Sequence, residues 1–122
     1  MTDRIEITGL KMEVNDDLRK YVTKKISKLE KFIPKKARES VFVAVKLKAG
    51  SNKGKKQYTC EVVLTLPKDT LNIKETTLNI FAAVDIVETK LKNQLKRYKD
   101  QHSLLRGHTR HLIDKIRSQS SS

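Results

Sequence analysis

The stretch from Thr77 to Gln101 constrains this chain most. Ile80, Val84, Val87, Leu91, Leu95 and Tyr98 recur at steps of three and four, the period of one buried helical face. Phe81 and Ala83 widen the stripe, no Pro or Gly interrupts it, and Thr77 is placed to cap its start. Such a helix is about 36 Å long. Its charges are divided: Asp85 and Glu88 lie in the first half, and Lys90, Lys92, Lys96, Arg97 and Lys99 in the second. The helix macrodipole alone accounts for that order. A rod with one apolar face and one cationic end, made to lie against phosphates, accounts for it equally.

The remaining segments read as an α+β domain. Ile5 and Ile7 alternate with Arg4, Glu6 and Thr8 in a half-buried strand that Gly9 is expected to break. Asn15 or Asp16 can cap a helix to about Phe32, with Leu18, Tyr21, Val22, Ile26, Leu29 and Ile33 as its apolar stripe and Pro34 as its stop. Val41, Val43, Val45 and Leu47 alternate with Phe42, Ala44, Lys46 and Lys48, and Tyr58, Cys60, Val62, Leu64 and Leu66 repeat the pattern after an expected flexible loop over 50–54. Thr70 to Thr76 supplies a last strand with Leu71 and Ile73 inward. The order is βαβββα. Because each strand has one apolar face, the expected architecture is a two-layer sandwich, a four-stranded sheet with two helices packed on one face.

The chain is expected to divide into an α+β domain over 1–102 and a basic, flexible tail over 103–122, ordered only on a partner. No apolar run is long enough to span a bilayer, the N-terminal residues lack the apolar core of a signal peptide, and a single cysteine, Cys60, permits no internal disulfide. A cytoplasmic protein with no membrane association is the expectation.

Charge narrows the function. With 27 Lys and Arg against 14 Asp and Glu, the 122-residue chain carries a net +13, which repels itself unless a polyanion offsets it. In the first helix Lys20, Lys24, Lys28 and Lys31 form a row flanked by Arg19 and Lys25. One lysine row on a surface helix is ordinary solvation. Two rows on helices that share a sheet face merge into one field, and the expected partner is nucleic acid.

Catalysis and metal binding find no support. No Gly-rich phosphate loop is present, and no motif pairs a nucleophile with a base. His108 and His111 have a three-residue step but no nearby fourth ligand, and Cys60 points inward on its strand. No catalytic residue, metal, cofactor or small-molecule substrate is expected, and the free protein is expected to be a monomer.

Two segments, IEITGLKMEVNDDLRKYVTKKISKLEKF and, later, NIFAAVDIVETKLKNQLKRYK, resemble the ribosome hibernation promoting factor and ribosome-associated inhibitor family, also described as sigma-54 modulation protein. The resemblance covers about Arg4 to His102 and suggests a short form without a second domain. It implies the same βαβββα fold. It further implies binding to small-subunit ribosomal RNA in the channel between head and body, where messenger RNA and the A- and P-site transfer RNAs sit, so that translation stops and the idle ribosome is protected. Carried over by position, Lys25, Lys28, Lys90, Lys96 and Lys99 match the family's RNA-facing cations; Lys20, Lys24, Lys92 and Arg97 join them by the shared-face argument. Two departures stand out. Asn79-Ile80-Phe81 replaces the family's Asp-Met-Tyr, which removes a tyrosine hydroxyl, and Asn93 stands where an Arg is usual. The competing reading is a generic double-stranded RNA-binding module, whose lysines cluster at the start of the last helix; here that start is Thr77-Leu78-Asn79-Ile80.

Overall fold

Alternation of apolar and polar residues produces strands with one dry face, and four such strands form a single sheet. In the computed structural model the backbone is described for residues 4–107 and side chains for residues 4–100. Strands β1 (Ile5–Leu10), β2 (Phe42–Asn52), β3 (Lys55–Leu66) and β4 (Asp69–Thr77) lie in the order β1-β2-β3-β4. The last three form an antiparallel meander, while β1 runs parallel to β2. A parallel pair needs a crossover connection, and this one carries helix α1 (Asp16–Ser27). The long helix α2 (Ile80–Gly107) follows β4.

The register places the apolar residues in rows. Ile5, Val43, Leu64 and Leu71 make one, and Ile7, Val45, Val62 and Ile73 the next. Both helices cover this face. Val22, Ile26 and Leu29 from the first helical segment and Val84, Val87, Leu91 and Leu95 from α2 are buried with the strand residues in one core. Among the described residues no element covers the other face of the sheet; Phe42 there is 43% exposed. The observed architecture is thus the expected α+β sandwich of two layers.

Local details depart from the sequence reading. The first helix is α-helical only to Ser27 and tightens into a 3-10 segment, Lys28–Phe32, before Pro34. A second 3-10 segment, Lys35–Ser40, leads to β2, tied back where the Arg38 Nε donates to the carbonyls of Glu30 and Ile33. Asn15 is the α1 cap, its Oδ1 accepting from the Leu18 amide at 2.8 Å. Thr77 does not cap α2. Asn79 does, accepting from the Phe81 and Ala82 amides, while the Thr77 hydroxyl accepts from the Asn79 amide. The segment over 50–54 is not a loose loop. Strand pairing continues to Asn52 and Lys55, joined by a two-residue turn with Lys53 at φ 54° and Gly54 at φ 82°, the left-handed pair that suits the twist of a hairpin. At its far end α2 runs on to Gly107, through the position expected to separate domain from tail; residues 108–122, the rest of that tail, lie outside the described residues.

Gly9 does not break β1 but pairs with Leu47 inside it. Its reason is space: a Cβ there would sit 2.5 Å from the Met12 carbonyl oxygen and 3.0 Å from Val14. The turn through Lys11 folds tightly back on the strand. Burial governs Cys60 likewise, pushing its thiol up to about 12.

Two outcomes are expected. Gly9→Ala forces that turn away from β1 and lowers the urea midpoint by an amount corresponding to about 1–3 kcal/mol. Iodoacetamide at about pH 8 modifies Cys60 in native protein about a thousandfold more slowly than in urea-unfolded protein, because thiolate is scarce and enclosed.

Candidate nucleic-acid interface

The two helices lie side by side and run in the same direction. Tyr21 meets Phe81 edge-to-face with ring centroids 5.0 Å apart, and further along the Lys96 ammonium stands 5.5 Å from the centre of the Phe32 ring. Residue numbers rise together on both sides of this seam. Steps of three and four generate its walls: Tyr21, Lys25, Lys28 and Phe32 on one side, and Phe81, Asp85, Glu88, Lys92, Lys96 and Lys99 on the other.

The seam has two electrostatic halves. In the first, Asp85 is fully engaged: it accepts a hydrogen bond from the Tyr21 hydroxyl and lies 3.4 Å from the Lys25 ammonium. Lys25 also stands 5.5 Å over the Tyr21 ring. The hydrogen bond to Asp85 is the main influence raising the Tyr21 phenol above its ordinary value, and the charge of Asp85 is the main one raising the Lys25 ammonium. Lys25 is therefore a neutralised member of the expected cation set. Phe81 fills the place of the family's tyrosine by ring packing, and the hydroxyl on this seam comes from Tyr21 instead.

In the second half the charged residues that helical spacing places on the two walls, among the described residues, are all cations. Phe32 carries Lys31 on one approach, at 5.3 Å, and Lys96 on the other, both within cation–π range. By helical spacing Lys28 and Lys99, both exposed, and Lys92, half-buried, belong to the same two walls. Lys20 and Lys24, also exposed, continue the outer ridge of α1 behind Lys28. Phe32 was not singled out from sequence as part of the site, and Lys31 was placed in the lysine row but not among the expected RNA contacts. The signal was faint: one aromatic at the end of a lysine row, read as a helix terminus.

Lys90 and Arg97 do not join this group. They lie on the opposite flank of α2, above β4. The Lys90 ammonium is paired with Glu75 of that strand, and Arg97 borders an open cleft with Asp69, Leu71, Gln94 and Tyr98. Of the nine cations expected at the interface, six (Lys20, Lys24, Lys28, Lys92, Lys96 and Lys99) thus share the outer surface along the seam, Lys25 sits within it paired to Asp85, and these two face away.

Tyr21 and Lys25 both hold their protons more tightly when folded than the ordinary values of 10.0 and 10.5. Their contribution to stability is complete below those values and is lost as pH rises through the raised ones. Unfolding midpoints measured from about pH 9 to about pH 11 are expected to fall in the unaltered chain and to fall less steeply in Asp85→Asn, which starts lower by about 1 kcal/mol.

Comparison with known proteins bears on the family and the fold. Residues 5–103 match the family described as sigma 54 modulation protein / S30EA ribosomal protein. The ribosome hibernation promotion factor of Lactococcus lactis subsp. cremoris (strain MG1363) is 31% identical over 96 residues, covering 79% of this chain and 49% of that relative. The protein of the same name from Staphylococcus aureus (strain COL) is 32% identical over 99 residues, covering 79% and 48%. The chain spans about half the length of these curated relatives. Among solved structures, the N-terminal domain of Thermus thermophilus Protein Y superposes with a TM-score of 0.66 at 24% identity, over 76% of this chain and 94% of that one. A ribosomal subunit interface protein from Coxiella burnetii gives 0.62 at 25% identity, over 79% and 97%. A match across most of the chain, two relatives above 30% identity and the shared fold together mean that this chain belongs to the sigma 54 modulation protein / S30EA ribosomal protein family.

Proposed function

We propose that the protein is a ribosome hibernation factor: it binds small-subunit ribosomal RNA in the channel used by messenger RNA and by A- and P-site transfer RNA, blocks their entry and protects the idle ribosome. It acts by occupation, without chemistry, in the cytoplasm where ribosomes reside, and is a monomer when free. The observation that carries this reading is the cationic half of the helix seam, where Lys31 and Lys96 flank the Phe32 ring and Lys28, Lys92 and Lys99 share the same two walls by helical spacing. Family membership and the names of the relatives support the choice of ribosome over other polyanions.

The physics of such binding is mostly phosphate neutralisation. Parallel walls of ammonium groups match an RNA backbone in charge, and long lysine side chains adapt to its course. Lys25, held by Asp85, and Lys90, held by Glu75, have less charge to offer. A plain duplex-RNA reader is disfavoured because α2 begins with Ile80, Phe81 and Ala82, capped by Asn79, with no lysine in its first turn.

The double variant Lys28→Glu/Lys96→Glu is expected to lose co-sedimentation with small subunits, whereas Lys90→Ala weakens it less than Lys96→Ala does. For the unaltered chain, log affinity should fall with log salt by about 0.7–0.9 per phosphate contacted. Normal sedimentation of the double variant, or equally tight gel-shift binding to plain duplex RNA, would replace this reading.

A further inference from the structure

A second cationic site stands at the other end of the molecule. The β2–β3 hairpin outruns the helices, so among the described residues no helix covers its last inward-facing residues. Ala49 pairs with Tyr58 and Ser51 with Lys56, continuing the face on which Leu47 and Cys60 are buried. The turn after β1 closes the side of this overhang. The result is an open shelf of about 390 Å³ bordered by Lys11, Met12, Ala49, Ser51, Lys56 and Tyr58.

Its parts are rigidly placed. Tyr58 is half-buried against the core, so one portion of its ring is fixed while the rest lines the shelf. Lys11 is held at φ 61°, a left-handed conformation that side-chain-bearing residues adopt rarely. Contact between Gly9 and the Met12 carbonyl fixes that turn, and the two-residue turn at Lys53-Gly54 fixes the hairpin. Among the described residues, neither Lys11 nor Lys56 has a carboxylate within ion-pair distance. Lys48, Lys53 and Lys55 are exposed around the same hairpin.

The shelf is separate from the seam. Tyr58 pairs with Thr77, just before α2 begins at Ile80, whereas the cationic half of the seam lies around Lys96. Sixteen residues of helix put about 24 Å between those levels, several times the Debye length of about 8 Å at physiological salt. The two sites act as independent charges.

Two ammonium groups, two hydroxyls and a fixed aromatic ring around a small open volume are the elements that hold one nucleotide: the cations take the phosphate, and the ring takes the base. We propose that the hairpin shelf seats a single unpaired nucleotide, with Lys11 and Lys56 on its phosphate and Tyr58 against its base. The inference rests on the reading that the target is RNA, and it gives the protein a second hold on RNA that does not use the helices.

The test is a ¹H–¹⁵N NMR titration of the full chain with oligouridine, with uridine monophosphate and with inorganic phosphate. It uses the unaltered protein, Lys28→Glu/Lys96→Glu and Lys11→Glu/Lys56→Glu. Oligouridine is expected to shift the amides of Lys11, Met12, Ser51, Lys56 and Tyr58 along one saturating curve, in the unaltered chain and in the seam variant alike. Those shifts are expected to vanish in the shelf variant. The same shifts with uridine monophosphate identify a free nucleotide as sufficient; shifts with oligouridine alone identify a strand. Stationary shelf amides with both uridine ligands, or equal shifts with inorganic phosphate, overturn the shelf proposal. The ribosome reading would then still stand or fall on sedimentation of the seam variant.

Discussion

Covering one apolar face of one sheet is the requirement on which the rest of this structure depends. The strands place Val43, Val45, Leu47, Val62, Leu64 and Leu71 on a single side, and burial of such side chains is worth about 1.5–3 kcal/mol each. Two helices are available, and both must lie on that side. Their outward ridges then become neighbours without any direct attraction between the lysines. The cationic surface is thus a by-product of how the core is closed, and its repulsion is carried by the packing beneath it.

Within that arrangement, charge is graded. Helix α1 has Asp16 and Asp17 in its first turn and Lys24 and Lys25 in its last, whereas α2 has no acid in its first turn but carries Asp85 and Glu88 ahead of Lys90, Lys92, Lys96 and Lys99. The α1 macrodipole favours its order, and because the helices run the same way the two charge gradients coincide. Asp85 ties the first half of the seam together through Tyr21 and Lys25. In the second half the side chains that meet are ammonium groups and the Phe32 ring, which tolerates them through its quadrupole. One end of the seam is therefore a structural joint and the other an available charge.

The layer architecture was legible because alternation in strands and three-to-four spacing in helices report burial directly. Strand direction was not: nothing in Ile5 and Ile7 says that β1 runs parallel to β2, and that follows only from the crossover. The cap of α2 was read two residues too early, at Thr77 instead of Asn79, because Thr and Asn are both competent and the choice between them depends on where β4 releases the chain. The glycines around 50–54 suggested looseness, yet Gly54 is there because a tight hairpin turn requires a left-handed residue. At the interface, periodicity placed the lysines on α2 but did not separate its two flanks. Lys90 and Arg97 fall to the β4 side because of where the sheet ends, a fact about the neighbouring element and not about the helix.

The mixed topology also divides the molecule by how its parts are attached. β2, β3 and β4 are joined by two-residue connections at Lys53-Gly54 and Pro67-Lys68, so their pairing closes small loops. β1 reaches β2 across the whole α1 crossover, as Ile5 opposite Val43 illustrates, and its Ile5 and Ile7 are only half-buried. Loop-closure entropy weighs most on such a distant contact. The first strand is accordingly a late-arriving selvedge on a sheet that is already woven, and loosening it would leave the weave that supports α2 in place.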